Sequence, residues 1–304
     1  MDKIAEELRS IIAGSDVLVD EKMCDHTTFR IGGCADVFVI PRSIKEATEV
    51  VRLLLARKVP YTVIGNGSNI LVSDSGYRGC IVCMGADDIK VDKTTVTAGA
   101  GALLARTARC AYENALSGME FASGIPGSVG GAVVMNAGAY GSEMKDVITS
   151  VRLFDTRSLK VISLSNDEMR FAYRTSVVKN EPLIVLEATF DLKYGDRQQI
   201  RETMDELSAR RRTKQPLEFP SAGSTFKRPE GYFAGKLIED AGLKGYRVGG
   251  AAVSDKHCGF VVNCGDASAA DVVSLIRQVR QRVDERFGVM LEPEIVLLGE
   301  DMEI

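Results

Sequence analysis

The sequence contains few histidines and no apolar run long enough to cross a membrane. Its 304 residues include only two histidines, and the close cysteine pair, Cys80 and Cys83, has no second pair to complete a zinc ligand set. No segment approaches the roughly 18 consecutive apolar residues of a membrane-spanning helix. We therefore expect no metal site and no association with a membrane.

Positive charge is not in excess either. Lys and Arg total 38 against 42 Asp and Glu, which gives a formal net charge of −4. This balance argues against a nucleic-acid binder that relies on bulk positive charge, although it leaves room for a local basic pocket. The N-terminal segment MDKIAEELRS lacks the apolar core of a secretory signal, and we expect the seven cysteines to be reduced thiols. The expected location is therefore the cytoplasm.

The composition and the apolar pattern are those of a globular chain with both helices and strands. Apolar positions at helical spacing between residues 44 and 55, preceded by Ser43 as a helix cap, lie between predicted strands at 36–40 and 61–65. A helix near residues 200–212 ends before Pro216, which marks our main domain boundary. An amphipathic helix over 272–283 and a strand over 294–298 close the chain. The pattern indicates an α+β or mixed α/β protein of two or three domains.

A first glycine loop, Gly65-Asn66-Gly67-Ser68-Asn69, directly follows a predicted strand. Glycines allow a ligand to approach the backbone closely, and successive N–H groups can bind phosphate oxygens. A dinucleotide-binding Rossmann turn needs a third glycine and a helix, whereas this sequence has Ile70 followed by a strand and turn pattern. The loop by itself is compatible with phosphate binding or with a plain tight turn.

A second glycine-rich segment, GIPGSVGGAVVMNAGAYG, covers residues 124–141. We predict a turn at Pro126-Gly127, a run of accessible N–H groups from Ser128 to Gly131, and a strand at AVVM. Two such loops in one half of the chain favour a long diphosphate ligand held from two sides, with two unrelated hairpins as the alternative. The segment GYFAGKL at 231–237 lacks the spacing of a Walker A phosphate loop.

The two loops together resemble the FAD-binding domain of the UDP-N-acetylenolpyruvoylglucosamine reductase family. The resemblance continues in order through FAYRTS at 171–176, AGSTFKRP at 222–229, GGAAVSDKHCGFVVN at 249–263 and LEPEI at 291–295. It covers nearly the whole chain, from Thr28 to Leu298. It implies a fold class of α+β: a two-lobed FAD-binding domain of the vanillyl-alcohol-oxidase type, followed by an α+β substrate-binding domain. We accordingly predict one lobe over 1–84, a second lobe over 85–213 and the substrate domain over 214–304.

The resemblance also implies an activity. Enzymes of this family use NADPH as co-substrate and tightly bound, non-covalent FAD to reduce the enolpyruvyl ether of a UDP-sugar in bacterial peptidoglycan precursor synthesis. By position in the motifs, Arg174 is expected to bind the substrate carboxylate, Glu294 to be the catalytic glutamate and Ser224 to donate the proton. The expected FAD contacts are Gly65, Asn66, Gly67, Ser68, Asn69, Ile70, Gly127, Ser128, Gly130, Gly131 and Ala132.

The substrate contacts implied by the resemblance are Tyr173, Lys214, Arg228 and His257. Some relatives carry an extra loop after the Tyr-Arg motif, with a tyrosine that closes over the diphosphate. This chain passes from Tyr173 to Leu183 without room for that loop, which is typical of the shorter form of the enzyme. We expect a monomer, because the sequence has no coiled-coil pattern and no long apolar edge.

Two other functions stay open on the sequence. A different flavoprotein on the same fold, such as an oxidase of small alcohols, would share the glycine loops but would not need Arg174, Ser224 and Glu294 in these motifs. A nucleotide-binding regulatory module would keep the loops and leave the three polar residues without a role.

Overall fold

The computed structural model describes residues 1–300 and 302–304. In these residues the helices are α1 Asp2–Arg9, α2 Ile44–Ala56, α3 Leu104–Glu113, α4 Val129–Met135, α5 Arg197–Lys214, α6 Ala234–Asp240 and α7 Ala269–Phe287. Short 3-10 helices cover Gly14–Asp16, Met23–His26, Glu120–Gly124, Met144–Asp146 and Val177–Lys179.

The strands of the first half are β1 Val17–Lys22, β2 Cys34–Val39, β3 Tyr61–Ile64, β4 Ile70–Val72, β5 Tyr77–Cys83, β6 Ile89–Asp92, β7 Thr95–Gly99, β8 Leu116–Ser117, β9 Gly138–Ala139 and β10 Ser142–Glu143. The strands of the second half are β11 Ile148–Asp155, β12 Lys160–Ser165, β13 Leu183–Asp191, β14 Lys193–Tyr194, β15 Arg247–Val248, β16 Ala251–Val253, β17 Val261–Asn263 and β18 Val296–Leu298.

The strands form two larger sheets and several small ones. The larger sheets have the orders β1-β2-β5-β3 and β12-β11-β13-β7-β6. In the first of these, β3 pairs parallel to β5 with Tyr61 opposite Cys80. In the second, every pairing is antiparallel, and two irregularities in register occur along β11 and β13. A three-stranded antiparallel sheet, β15-β16-β17, lies in the C-terminal part of the chain, and β18, near the C-terminus, pairs parallel with β4 of the first half.

By its internal contacts the chain divides into two compact units that are interleaved in sequence. The first unit comprises Met1–Val19, Val37–Asn66 and Gly79–Arg211, and the second comprises Asp20–Asp36, Gly67–Arg78 and Arg212–Ile304. Each unit has its own apolar core. The core of the first unit includes Leu54, Phe154 and Phe190, and that of the second includes Phe29, Leu237 and Ile276. The predicted three-part division at residues 84/85 and 213/214 stays a prediction.

Most predicted elements are present because their apolar periodicity reflects the face that they bury. Helix α2 begins after Ser43, whose Oγ accepts the Glu46 N–H at 3.2 Å, and it buries Val51 and Leu54 against the first core. Helix α7 has a complete capping box between Ser268 and Asp271. The sequence pattern did not reveal β1, β6, β15, β16 or α6, which are short segments with little periodicity to recognise.

Candidate active site

The two glycine loops meet in the first unit. Gly65 and Asn66 follow β3, and the Asn66 amide Nδ2 donates a hydrogen bond to the Pro126 carbonyl at 2.7 Å. A Cβ added to Gly65 would lie 2.0 Å from Ser128 Oγ. A side chain at this position would have to displace the Ser128 hydroxyl, and glycine lets the first loop pack against the second without that shift.

The second loop leads into a helix, not a strand. The prediction of a strand at AVVM is wrong, since Val129–Met135 forms α4 with Ser128 as its N-cap and Gly131 N–H as the capped donor at 3.4 Å. The helix ends at Asn136, which has left-handed backbone angles. A run of four apolar residues does not distinguish a strand from a buried helical turn, and here the cap at Ser128 decides.

The backbone of this second loop is already hydrogen-bonded within the protein. Val129 N–H donates to the Ala102 carbonyl at 2.8 Å, and Gly130 N–H donates to the Ala100 carbonyl at 2.9 Å. A Cβ on Gly130 would lie 2.9 Å from the Ala100 Cβ. At this position glycine therefore permits close packing of the loop, and its N–H is not a donor for a phosphate.

The accessible part of the two loops carries small or exposed residues. Gly131 is exposed, and the nearest atom to a Cβ placed on it is Ser128 Oγ at 3.7 Å, while Asn66 is exposed beside it in the first loop. Gly127 is half-buried, and Ala132 is buried within α4. Small or absent side chains on two touching loops provide the close backbone approach that a dinucleotide diphosphate needs.

The rest of the first loop belongs to the second unit. Gly67 has φ +62°, and its carbonyl accepts the Thr28 N–H at 3.1 Å. The Asn69 side chain donates to the Glu294 carbonyl at 3.2 Å, and the Asn69 carbonyl accepts the Val296 N–H at 2.9 Å. Ile70 then begins β4, where it lies opposite Val296 of β18. Ser68 is half-buried between these anchored residues. The loop is thus attached to the segment that carries Glu294.

We expect Gly67→Ala to lower the free energy of unfolding by about 2–5 kcal/mol, from left-handed strain plus overpacking. The added Cβ would lie 2.0 Å from the His26 carbonyl oxygen and 3.0 Å from the Thr27 Cα, so backbone has to move. Urea unfolding followed by circular dichroism measures the change. Gly231→Ala is the matched control, because Gly231 has φ +75° and no described atom lies within 4 Å of its added Cβ. Equal losses in the two variants would show that crowding at Gly67 contributes nothing.

Arg174 lies in a two-residue turn of the first unit. Ala172 and Thr175 exchange two backbone hydrogen bonds of 3.1 and 3.2 Å, which places Tyr173 and Arg174 at the tip. Arg174 has φ +56°, a left-handed conformation that costs a non-glycine residue free energy. Its guanidinium carbon lies 5.1 Å from the centre of the Tyr173 ring, and that ring is half exposed. The strained turn therefore places the Tyr173 ring and the Arg174 guanidinium next to each other at its tip.

The second unit brings the segments of Ser224 and Glu294 together through Thr225. Thr225 is buried, and its carbonyl accepts the Glu294 N–H at 2.8 Å. Its own N–H donates to the Gly259 carbonyl at 2.8 Å, and its Oγ1 accepts the Val261 N–H at 2.9 Å. Ser224 and Glu294 themselves are only half-buried. Sequence reasoning missed Thr225, whose local signal is limited to the apolar Phe226 that follows it.

The same ladder continues one step beyond Thr225. Phe226 pairs with Pro293, and Lys227 N–H donates to the Glu292 carbonyl at 2.8 Å. The Lys227 ammonium and the largely exposed Glu292 carboxylate also form an ion pair. The Glu292 carboxylate is thus paired with a lysine, whereas the backbone of Glu294, two residues later, bonds to Thr225, the residue that follows Ser224.

The four substrate-binding candidates lie in both units. Tyr173 belongs to the first, whereas Lys214, Arg228 and His257 belong to the second. Lys214 is exposed at the end of α5. Arg228 is exposed, with its guanidinium carbon 4.0 Å from the centre of the Phe233 ring and its Nε donating to the Tyr232 carbonyl at 3.2 Å. Stacking of this kind holds a guanidinium in one orientation on the face of the ring.

His257 is half-buried and held in one orientation. Its Nδ1 accepts the Gly259 N–H at 3.1 Å, and its ring packs edge-on against Phe260 with 5.0 Å between ring centres. Burial lowers the pKa of the imidazole from its ordinary value of 6.5, and the charge of Lys214 lowers it further. His257 is therefore neutral near pH 7, and its Nε2 carries the proton because Nδ1 is an acceptor.

The lowered pKa of His257 predicts a loss of stability in mild acid. Below about pH 6.5 the imidazole of the unfolded chain binds a proton, whereas that of the folded chain stays neutral until the pH reaches its lower pKa. The free energy of unfolding is therefore unaffected by His257 above about pH 6.5. It decreases as the pH falls from there through the folded pKa. In His257→Asn the amide oxygen can accept the Gly259 N–H without titrating. We expect its urea midpoint to decline less than that of the parent between pH 7 and pH 5. A parallel decline in both proteins would contradict this origin.

Two buried cysteines, Cys80 and Cys83, have strongly raised pKa values. Burial raises the pKa of Cys80 to about 12 and that of Cys83 to about 11, so both thiols are protonated at neutral pH. No cluster of three or more His, Cys, Asp or Glu side chains able to hold a metal occurs among the described residues. Within those same residues no helix is both long and apolar enough to span a membrane.

Comparison with known proteins identifies the class. Residues 35–164 match the family described as "FAD binding domain", and residues 215–298 match the family described as "UDP-N-acetylenolpyruvoylglucosamine reductase, C-terminal domain". With the two glycine loops and the mixed α and β architecture, these matches define an FAD-dependent oxidoreductase with a separate C-terminal α+β domain.

Individual relatives make the assignment specific. The chain is 50% identical to the UDP-N-acetylenolpyruvoylglucosamine reductase of Clostridioides difficile (strain 630) over 297 residues, 97% of each chain. It is 49% identical to the enzyme of that name from Caldanaerobacter subterraneus subsp. tengcongensis over 298 residues, 98% of each. The crystal structure of the Thermus caldophilus reductase superposes with a TM-score of 0.80 at 34% identity, covering 93% of this chain and 98% of that one. The chain belongs to the UDP-N-acetylenolpyruvoylglucosamine reductase family, and its length is that of the short form.

Proposed function

We propose that this protein is an NADPH-dependent flavoenzyme that reduces UDP-N-acetyl-3-O-(1-carboxyvinyl)glucosamine to UDP-N-acetylmuramate, in bacterial peptidoglycan precursor synthesis. Membership of the family supports the reaction. The observation that carries it is the backbone ladder in which Thr225 joins the segment of Ser224 to that of Glu294. We further propose a monomer in the cytoplasm, with a UDP-sugar as the ligand and no nucleic-acid partner.

The reaction adds a hydride to the β-carbon of the enolpyruvyl group and a proton to its α-carbon. Bound FAD would supply the hydride chemistry that connects NADPH with the substrate. The loop residues Gly65, Asn66, Gly127 and Gly131 would hold the cofactor by the parts of their backbone that stay accessible. The remaining demands fall on the polar side chains of this chain: to bind the carboxylate, to stabilise the negative charge that develops on it, and to supply the proton.

Arg174 would bind the enolpyruvyl carboxylate. Its guanidinium is permanently charged, and its planar fork matches the two oxygens of a carboxylate. Addition at the β-carbon moves negative charge onto this carboxylate, so the same contact becomes stronger in the transition state and speeds the reaction. The exposed Tyr173 ring beside it would pack against the substrate.

Ser224 would deliver the proton. A serine hydroxyl is a weak acid, but the acceptor is the carbon of an enolate, which is strongly basic and has to be protonated on one face. The resulting alkoxide takes a proton back from solvent, which balances the consumption of one NADPH and one proton per turnover. Glu294, partly buried and tied to Thr225, would share a proton with the developing enol. Lys214, Arg228 and His257 would contact the phosphates and the sugar.

A spectroscopic cycle tests this function. The purified protein, loaded with FAD, should lose the absorbance of oxidised flavin when NADPH is added without oxygen and regain it when the enolpyruvyl sugar follows. Loss of colour without recovery on adding the sugar would favour another flavin oxidase. Failure to bind FAD at all would favour a nucleotide-binding module.

A further inference from the structure

The asparagine that ends α4 has a buried side chain that the proposed reaction does not use. Asn136 has no exposed surface, and its backbone is left-handed, with φ 43° and ψ 54°. Glycine is the usual residue at such a helix end, since it adopts these angles without cost and buries no polar group. An asparagine here has to satisfy a buried amide, so its side chain needs a role that glycine does not fill.

The amide of Asn136 is bonded on both sides to backbone. Its Nδ2 donates to the Ala172 carbonyl at 3.1 Å, and its Oδ1 accepts the Lys145 N–H at 3.0 Å. One partner is an acceptor and the other a donor, so the amide has a single orientation that satisfies both. The two partners lie 36 residues and 9 residues away along the chain, so the side chain joins the end of α4 to two separate loops.

The Ala172 carbonyl begins the turn that presents Arg174. Beyond the turn, Ser176 Oγ donates to the Val134 carbonyl of α4 at 3.0 Å, so the turn is attached to the helix on both sides. Arg174 at φ +56° is strained, and a strained residue keeps its conformation only where its surroundings impose it. Asn136 on one side and Ser176 on the other impose it here.

We infer that Asn136 is a positioning residue for Arg174: its amide holds the Ala172 carbonyl and thereby sets where the guanidinium meets the substrate carboxylate. The inference rests on the proposed function for Arg174. A displacement of about 1 Å in a binding group can reduce a rate about 10²-fold without loss of the group itself. Changing Asn136 is therefore expected to slow reaction with the sugar while the guanidinium is still present.

The sharpest variant is Asn136→Asp. It keeps the size of the side chain and the acceptor for the Lys145 N–H, but it places an oxygen where the donor to Ala172 was. Asn114→Asp is the matched control, because Asn114 also ends a helix, α3, and its Nδ2 donates to the Cys110 carbonyl at 2.9 Å far from the turn in sequence. If the buried aspartate prevents folding, Asn136→Gly is the second variant. It keeps the left-handed backbone and loses both side-chain hydrogen bonds.

The two half-reactions are measured separately with the FAD-loaded protein. We expect Asn136→Asp to slow sugar-dependent flavin reoxidation about 10²-fold, while reduction by NADPH and the Asn114→Asp control stay within about twofold of the parent. In the Arg174→Ala background the same change should cause no further loss, because a residue that acts through Arg174 has nothing left to position. Hydrogen exchange of the Thr175 amide, bonded to Ala172, should also become faster.

Several results would overturn the inference. One is an equal loss of rate in both half-reactions of Asn136→Asp. Another is a full further loss of the reoxidation rate when Asn136→Asp is added to Arg174→Ala. The third is reoxidation at the parent rate in a variant whose Thr175 amide exchanges faster. A parent protein that never recovers its colour with the sugar would refute the proposed function, and this inference with it. A parent that recovers together with an unaffected Asn136→Asp variant would refute the inference alone.

Discussion

Replacing Ser224 by alanine is expected to leave flavin reduction by NADPH intact and to slow sugar-dependent reoxidation by about 10²–10⁴-fold, the usual contribution of a positioned general acid. The two half-reactions separate because the hydroxyl is needed only when the enolate carbon is protonated. Rapid-mixing absorbance measurements of each half-reaction provide the comparison.

The control for this variant lies in the same segment. Ser221→Ala makes the same chemical change three residues earlier. The Ser221 carbonyl accepts the Thr28 hydroxyl at 2.6 Å, and the Ser221 N–H donates to the Thr28 carbonyl at 3.1 Å. Both bonds use the Ser221 backbone, so the substitution retains them. We expect this variant to behave as the parent does. If Ser224→Ala reoxidises at the parent rate, or if solvent deuterium slows the parent and the variant equally, Ser224 is not the proton donor.

Replacing Arg174 by alanine is expected to reduce the rate of sugar-dependent reoxidation by about 10²–10³-fold, the usual loss when a donor to developing negative charge is removed. Arg174→Lys should recover part of this loss, since lysine restores the charge but not the planar pair of donors. The two variants share a Cβ, so the strain at φ +56° is the same in both. Any difference between them therefore reports on the head group.

Arg170 is a close match for a control. It is exposed, it also has a left-handed backbone with φ 49°, and it precedes Arg174 by four residues. Arg170→Ala should leave the rate and the apparent KM for the enolpyruvyl sugar unchanged. If Arg174→Ala changed the KM for NADPH and left the reaction of the sugar untouched, the assignment to the enolpyruvyl carboxylate would be wrong.

Much of the local structure follows from the sequence because it depends on neighbours in the chain. The cap at Ser43, the apolar face of α2 and the end of α5 before Pro216 are local features, and all three are present as predicted. The family is also evident from local motifs, confirmed by a relative 50% identical over nearly the full length. The roles of Arg174, Ser224 and Glu294 stay predictions until the variants are measured.

The tertiary structure decided what local pattern leaves ambiguous. Four apolar residues at AVVM fit a strand or a helical turn, and the helix forms because Ser128 caps it while Val129 and Gly130 bond to carbonyls about 30 residues earlier. Only the folded chain shows that Thr225 joins the segments of Ser224 and Glu294, which are about 70 residues apart in sequence.

The sequence by itself thus determined the residue types, their order and the family, because motifs preserve chemistry in short stretches. The fold decided which motif touches which: Asn66 with Pro126, Asn69 with Glu294, and Asn136 with Ala172. These are single hydrogen bonds between distant segments, and no periodicity in the sequence encodes them. Their partners are selected by the packing of each unit around its own core, which is why the positions of the candidate residues depend on the tertiary structure.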